Sequence, residues 1–214
     1  MEARGRVDAP VAHGVVAAPA ADFPRLGACL AAAFVDDPVS TFLFPEPRTR
    51  QARLSALYRM VLGAMASHGH VAMDPSRRGA AVWQAPSPPV PGVLAEGIGA
   101  FVMFAVLRTA SLRGLALSRA AASVHPSEPH WYLGILGTDP AHQGQGVASL
   151  LLRPVLSRCD ETGVLAYLES SKESNIPFYE RHGFRVTGNV RVDGGPVLWP
   201  MQRAPDPSRA VARG

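Results

Sequence analysis

Apolar residues recur at helical spacing in two stripes in the first half of the chain. The first stripe predicts a helix that begins near Asp22 and ends near residues 36–38. Its apolar positions are Phe23, Leu26, Leu30 and Phe34. The second stripe predicts a longer helix that ends at Gly69. Its apolar positions are Leu54, Leu57, Tyr58, Val61, Leu62 and Met65.

Shorter runs of apolar, β-branched and aromatic residues predict strands. They include a hairpin around the Asp74–Gly79 turn, a buried strand from Trp131 that ends at Asp139-Pro140, and a terminal hairpin around residues 193–196. The predicted strands cover residues 14–17, 70–73, 80–83, 131–138, 164–169, 184–192 and 197–202.

Three further segments have helical patterns. Residues 93–122 predict one or two helices broken near Gly114, residues 146–162 predict a helix kinked at Pro154, and residues 175–182 predict a short helix closed by Gly183. Helices and strands alternate without an internal repeat, which predicts a three-layer α/β or α+β fold. We expect one domain over residues 11–203, a flexible tail over 1–10 and a disordered tail over 204–214.

Composition narrows the class of protein. The chain is 47% hydrophobic and 18% charged, which is typical of a globular domain. Its net charge is only +4, without a basic run that contains aromatic residues, so we do not expect nucleic-acid binding. The longest uncharged apolar segment, residues 97–107, is too short to span a bilayer. No apolar segment of signal-peptide length follows Arg4 and Arg6, so we expect a cytoplasmic protein that does not bind membranes.

Cysteine and histidine add little chemistry to this picture. Cys29 and Cys159 lie far apart within helical patterns, and we interpret both as buried single thiols. His68 and His70 have no third ligand at a suitable spacing, so no metal site is predicted.

A glycine-rich loop follows the strand at Trp131 and leads into a helix. Such a loop presents unpaired backbone N–H groups and the positive end of a helix dipole to a phosphate. Gly144 and Gly146 allow close approach of a ligand to the backbone, so we interpret the loop as a pyrophosphate site. A P-loop is excluded because Lys172 is the only lysine. A dinucleotide fingerprint is a weak alternative, because the third glycine is replaced by Ser149 and a turn intervenes after the strand.

Four motifs in order resemble the GCN5-related N-acetyltransferase (GNAT) family. The loop Gln143-x-x-Gly146-x-Ala148 resembles its coenzyme A loop, and Leu136-Gly137-Thr138 resembles its acyl-binding strand. Tyr167-Leu168-Glu169 and the segment from Asn175 to Phe184 resemble its later strand and helix. The Asn-x-Pro-Phe-Tyr-Glu-Arg form, with residues 152–156 and 81–83, resembles the puromycin N-acetyltransferase branch. The resemblance implies a mixed, mostly antiparallel central sheet flanked by helices.

The resemblance also implies acetyl-CoA as cofactor and a monomer or homodimer. Residue by residue, it implies these coenzyme contacts: Leu136, Gly137, Thr138, Gln143, Gly144, Gln145, Gly146, Val147, Ala148, Ser149 and Asn175. One position departs from the pattern: many members have an asparagine seven residues before the tyrosine, where this chain has Lys172, and Asn175 is only four residues before it.

Acetyl transfer to an amine needs a neutral amine, a polarised carbonyl and a proton for the leaving thiolate. The resemblance places Tyr179 near the coenzyme sulfur, and a phenol with a pKa of about 10 can protonate a thiolate. A core tyrosine is the alternative. Glu169 is either a base acting through water or a carboxylate that orients the acceptor's ammonium. His142 and His130 are weaker base candidates.

We expect an acceptor pocket lined by Phe42, Phe44 and Trp83, with residues 34–45 as a proline-broken loop over it. The alternative for Phe42 and Phe44 is a hydrophobic plug under the first two helices. The predicted function is acetylation of a small-molecule amine, such as an antibiotic or a metabolite. A protein N-terminal or lysine acetyltransferase and a non-catalytic acyl-CoA-binding module are the alternatives.

Overall fold

The computed structural model describes residues 14–66, 70–86 and 111–208. Within them, the strands form one sheet in the order β1-β2-β3-β4-β5-β8-β6, with β7 also paired to β8. Only β4 and β5 pair in parallel, which confirms the mostly antiparallel sheet. The strands are β1 (Val16–Ala17), β2 (His70–Met73), β3 (Gly79–Gln84), β4 (His130–Thr138), β5 (Leu165–Ser170), β6 (Arg185–Val186), β7 (Val190–Arg191) and β8 (Val197–Arg203).

Helices cover both faces of this sheet and make the predicted three layers. The described helices are α1 (Phe23–Ala33), α2 (Pro38–Leu43), α3 (Pro47–Met65), α4 (Ser111–Ala122), α5 (Val147–Thr162) and α6 (Ile176–Arg181). On one face, Leu151, Val155 and other α5 residues pack against Trp83 and Leu168 of the sheet. On the other face, Leu26 and Leu30 of α1 pack with Leu62 of α3 against Val82. None of the described helices is both long and apolar enough to cross a membrane.

A bulge in β4 changes which face its side chains meet. Val82 pairs with Ile135 and the next residue, Trp83, pairs with Leu133, so Gly134 is an extra residue in β4. Leu133 therefore packs on the α5 side, whereas Ile135 packs on the α1 side.

Two predicted elements differ from the structure. Residues 34–45 are not a broken loop, because α2 forms within them. Pro38 occupies the first turn, where its missing N–H is not needed, and Oδ1 of Asp37 caps the helix by accepting a hydrogen bond from the Val39 N–H at 2.9 Å. The break predicted near Gly114 is also wrong, since α4 continues through that residue.

Some sequence predictions lie partly or wholly outside the described residues. They are the tail over 1–10, the end of the second helix near Gly69, and the helical prediction for 93–110. Residues 204–208, at the start of the predicted C-terminal tail, are described, and the Asp206 N–H donates to Oδ1 of Asp160 at 2.7 Å.

Candidate active site

The predicted pyrophosphate loop has a backbone conformation that favours glycine. Gly144 and Gly146 have φ angles of 75° and 80°, a region that side-chain-bearing residues rarely adopt. A Cβ at either position would meet no atom within 4 Å, so the surface above the loop is open. Gln143 and Gln145 are exposed, and their amides donate back to the carbonyls of Thr138 and Ala141 at 3.3 and 3.4 Å.

The start of α5 leaves backbone donors available. Gly146 is the N-cap and supplies no side-chain cap, so the N–H groups of the first turn, at Val147, Ala148 and Ser149, have no acceptor within the helix. The Val147 side chain is buried in the core, so only its backbone can contact a ligand. Ser149 Oγ lies 3.0 Å from Nε2 of His182, just after α6, which connects the loop helix to the helix carrying Tyr179.

Strands β4 and β5 separate beside this loop. They pair only at His130–Tyr132 with Leu165–Tyr167, and from Leu133 onward the edge of β4 that faces β5 has no partner strand among the described residues. Leu136, Gly137 and Thr138 lie on this unpaired edge, where Leu136 is half-buried and the other two are buried. Oγ1 of Thr138 is buried without a hydrogen-bond partner, an unmet polar group on the predicted acyl-binding strand.

Gly137 has a packing role that the sequence did not indicate. A Cβ there would lie 2.6 Å from Leu30 and 2.9 Å from Phe34, so glycine lets α1 pack directly on β4. Any contact of Gly137 with a ligand is therefore through its backbone at the strand edge.

Tyr179 lies on α6 and packs against the core on the α5 face of the sheet. Burial, and secondarily the negative charge of Asp37, raise the pKa of its phenol well above the usual value. The phenol therefore stays protonated at neutral pH, as a proton donor must. Asn175 is exposed at the N-cap of α6, and its side chain does not cap the helix.

Glu169 lies near the end of β5 within a cluster of aromatic rings and histidines. Its side chain is only 6% exposed, and its Oε1 lies 3.5 Å from Nδ1 of His125. This oxygen has no hydrogen-bond partner. Burial and then the charge of Glu169 raise the pKa values of Tyr132 and Tyr167 well above their usual value. The Tyr167 hydroxyl donates to the Val124 carbonyl oxygen at 3.2 Å.

The three predicted acceptor contacts are placed differently. Phe44 and Trp83 are 1% and 0% exposed and belong to the hydrophobic core, so neither offers a surface to a ligand. For Phe44 the plug interpretation fits this burial. Phe42 is half-buried, and the guanidinium of Arg113 lies 5.7 Å from the centre of its ring. The degree of burial distinguishes Phe42, which a ligand can reach, from Phe44 and Trp83, which it cannot; the hydrophobicity of these residues does not make this distinction.

The sequence analysis missed Asp37 as part of the site. This carboxylate is 3% exposed, and its Oδ2 accepts a hydrogen bond of 2.6 Å from the hydroxyl of Ser171, just beyond β5. Its charge also raises the pKa of Tyr58, after the larger effect of burial. Asp37 and Ser171 are 134 positions apart, and no pattern in the sequence links them.

The weaker base candidates lie in different surroundings. His130 adjoins the Glu169 cluster, with its Nε2 2.9 Å from Nε2 of His125. His142 lines a separate cavity of about 250 Å³ between α1 and the β2–β3 turn, together with Arg25, Arg78 and Asp139. In the part of the chain that the structure describes, no three His, Cys, Asp or Glu side chains are grouped as metal ligands would be.

Comparison with known proteins agrees with this geometry. The profile of the acetyltransferase (GNAT) domain family matches residues 95–204. An uncharacterised N-acetyltransferase of Schizosaccharomyces pombe is 27% identical over 186 residues, which cover 77% of this chain and 71% of that protein.

Solved structures show the same fold. A crystal structure described as histone acetyltransferase HPA2 and related acetyltransferase, from Corynebacterium glutamicum, has a TM-score of 0.68 and 28% identity, over 90% of this chain and 96% of that one. Arylalkylamine N-acetyltransferase 2 of Aedes aegypti has a TM-score of 0.60 over 90% and 98% of the two chains, and at 11% identity it supports the fold alone. With the family profile covering half of its length, this chain belongs to the acetyltransferase (GNAT) domain family.

Proposed function

We propose that this protein is an acetyl-CoA-dependent N-acetyltransferase that transfers acetyl directly to the amine of a small molecule. Tyr179 is the general acid and Glu169 the base. The observation that carries the proposal is the buried Oε1 of Glu169, which has no hydrogen-bond partner and lies two residues beyond the point where β5 stops pairing with β4.

The residues that would bind coenzyme A are those of the loop and the open strand edge. The first-turn N–H groups of α5, with Gly144 and Gly146 beneath them, suit a pyrophosphate. The unpaired edge at Leu136–Thr138 suits the amide-bearing arm. When bound, the coenzyme supplies an activated thioester, whose carbonyl the amine attacks. Gln143, Gln145, Ser149 and Asn175 are the proposed polar side-chain contacts.

The state of the two thiols favours direct transfer over an acetyl-cysteine intermediate. Burial raises the pKa of Cys29 to about 11 and that of Cys159 to about 12. At neutral pH both are thiols rather than thiolates, and the thiolate is the nucleophilic form. The chain has no other cysteine.

A small-molecule acceptor fits the surroundings of Glu169. The ring of Tyr132, which is only partly buried, borders the carboxylate and offers an apolar surface to a compact amine, while the fully buried ring of Tyr167, 6.0 Å away between centres, supports it from the core. The resemblance to the puromycin N-acetyltransferase branch points to the same class of acceptor, and Phe42 is the remaining predicted acceptor contact with accessible surface. We also propose a cytoplasmic location and a monomer or homodimer.

The test is release of free thiol from acetyl-CoA with a panel of amines that includes puromycin, other small amines and peptides with free N-termini or lysines. We expect one small amine to support turnover. Tyr179→Phe should lower the rate by about a hundredfold, because the thiolate loses its proton donor. Acetyl-CoA binding by calorimetry should be unchanged in this variant, which serves as the control for folding.

Two results would redirect the proposal. Turnover with peptides alone would indicate a protein acetyltransferase, like the histone acetyltransferase of the similar Corynebacterium glutamicum structure. Acetyl-CoA binding without thiol release for any amine would indicate a binding module.

A further inference from the structure

Two histidines connect the buried carboxylate Glu169 to the surface. His125 and His130 lie before and at the start of β4, and their rings are 4.7 Å apart between centres. Nε2 of His130 lies 2.9 Å from Nε2 of His125, and Nδ1 of His125 lies 3.5 Å from Oε1 of Glu169. The proposed function assigns neither histidine a role.

The hydrogen bonds determine which ring nitrogens of His125 and His130 carry a proton. Nδ1 of His130 is 2.7 Å from the Glu128 carbonyl oxygen, which can only accept, so this nitrogen bears the proton. In neutral His130 the lone pair is then on Nε2, which must accept from the Nε2–H of His125. Neutral His125 is left with its lone pair on Nδ1, facing Glu169.

We propose that His125 takes from Glu169 the proton that the acceptor amine gives up and delivers it to water, while His130 is a positioning residue that fixes the tautomer of His125. This inference rests on the proposed function, in which Glu169 is the base. Because Glu169 is buried, it cannot give its proton directly to water, and His125 provides the route to solvent.

The proton balance of the reaction requires such a route. An amine arrives as an ammonium ion, and its acetylation by a thioester yields an amide, a free thiol and one proton. That proton passes from the amine nitrogen to Oε1 of Glu169 and then to Nδ1 of His125, which becomes an imidazolium. The imidazolium returns to neutral by giving one proton to water, and Glu169 is again a carboxylate.

Exposure to solvent increases from Glu169 to His125, which is the direction in which the proton must move. The Glu169 side chain is 6% exposed, whereas the His125 side chain is 35% exposed. The ring of His125 packs edge-on against both Tyr132 and Tyr167, with centres 4.9 Å away in each case, so its orientation is constrained.

The other titratable groups around the carboxylate keep their charge state. Tyr132 and Tyr167 stay protonated, because burial and the charge of Glu169 raise their pKa values. Burial lowers the pKa of His130, so that it remains neutral and keeps the lone pair that orients His125.

The first test is independent of activity. In protein labelled with ¹⁵N at histidine, the nitrogen shifts of His125 should show the Nε2–H tautomer. His130→Phe keeps an aromatic ring at that position and removes the acceptor, so this preference should be lost. A neutral His125 with its proton on Nδ1 in the wild type would overturn the inference, even if the enzyme acetylates amines normally.

The second test is chemical rescue of turnover. His125→Ala should lower the rate about tenfold at about pH 6.5, less than the loss of a group that touches the substrate. Added imidazole should restore the rate. Near pH 9 the deficit should shrink, because more of the amine arrives neutral and its acetylation releases no net proton: the one proton that the nitrogen then loses balances the one that the thiolate gains.

Two controls accompany the rescue. Glu169→Gln should not respond to imidazole, because the step before His125 is missing. His70→Ala removes a histidine that stacks on Trp131 outside the cluster, and imidazole should not change its rate. Wild-type turnover with an unchanged rate in His125→Ala from pH 6.5 to about pH 9 would overturn the relay and leave the proposed function intact. Absence of wild-type turnover would instead remove the proposed function and the relay that rests on it, while the tautomer assignment stands or falls on the nitrogen shifts.

Discussion

Single glycines act in two distinct ways around the candidate active site. At Gly144 and Gly146 the backbone lies in the left-handed region with open space around it, so glycine is needed for conformation. At Gly137 and Gly79 a Cβ would come within 2.6 and 2.7 Å of Leu30 and of the Gly137 carbonyl oxygen, so glycine is needed for packing. The loop glycines were predictable from sequence, but the packing glycines depend on which helix lies above the strand.

The conformational role can be tested at Gly146. Gly146→Ala places a side chain at φ 80°, which costs about 1–2 kcal/mol and shifts the first N–H groups of α5. We expect acetyl-CoA to bind at least about tenfold more weakly, measured by calorimetry, because the phosphate-binding donors lose their arrangement. Gly188→Ala is the matched control, since Gly188 is exposed, lacks a positive φ and has open space around it. Equal affinities for the two variants would show that the loop does not bind the coenzyme.

At the scale of elements, the segment between α1 and α3 depends on one buried arginine. Arg50, which is 8% exposed, donates to the carbonyl oxygens of Phe44, Pro45 and Val35 at 2.7, 3.0 and 3.2 Å. These bonds fix both ends of α2, whose N-cap is Asp37. Because Asp37 in turn binds Ser171 beyond β5, Arg50 sets the distance between the helical layer and the candidate active site.

Replacing this arginine should loosen the whole segment. Arg50→Met keeps much of the apolar stem but leaves three carbonyls without their donor, and we expect the free energy of unfolding to fall by about 2–4 kcal/mol. Urea denaturation measures the change. Arg48→Met is the control on the same helix, because Arg48 is exposed and should alter stability by less than about 0.5 kcal/mol. A loss no larger than that of the control would mean that α2 is fixed by other contacts.

The same segment separates the features that can be predicted from sequence from those that depend on the tertiary fold. The amphipathic stripes and the strand–glycine–helix unit were predictable because periodicity and turn chemistry are local. In the sequence Pro38 indicates a break, but proline also begins helices, and α2 begins there. Hydrophobicity is consistent with either a pocket or a plug for Phe44 and with a pocket for Trp83, whereas both are core residues in the structure. The partners of Asp37 and His125 are brought together only by the tertiary fold.

At the scale of the whole molecule, the two halves of the sheet are joined by few backbone pairs. β4 pairs with β5 only at His130, Trp131 and Tyr132, and the candidate coenzyme site lies where the strands then separate. α5 packs across β3, β4 and β5 and so connects the halves. The separation of β4 and β5 that opens the candidate site thus also leaves few hydrogen bonds between the two halves of the sheet. Contacts between α5 and the half that begins with β5 must therefore stabilise their association.

One buried ion pair provides such a contact. Arg203 at the end of β8 forms an ion pair with Asp160 of α5: its Nη2 donates to Oδ2 at 2.8 Å and its Nη1 lies 2.8 Å from Oδ1. Its Nε donates to the His182 carbonyl oxygen at 3.0 Å. Asp160 also accepts from the Asp206 N–H at 2.7 Å. The pair therefore joins α5, β8, the end of α6 and the chain that follows β8, and through His182 it reaches Ser149 in the glycine loop.

Removing one partner of this ion pair should destabilise the protein more than removing both. Arg203→Met leaves a buried carboxylate unpaired, and we expect the free energy of unfolding to fall by about 3–5 kcal/mol. The double variant Asp160→Leu, Arg203→Met should recover part of this loss, because no buried charge remains, although the Asp206 N–H then lacks its acceptor. Arg158→Met breaks the exposed Arg158–Glu161 pair on the same helix and should cost less than about 1 kcal/mol. Urea denaturation of the four proteins completes the comparison. A loss in the double variant at least as large as that in Arg203→Met would mean that the unpaired charge is not what destabilises the protein, and that the ion pair does not join the two halves.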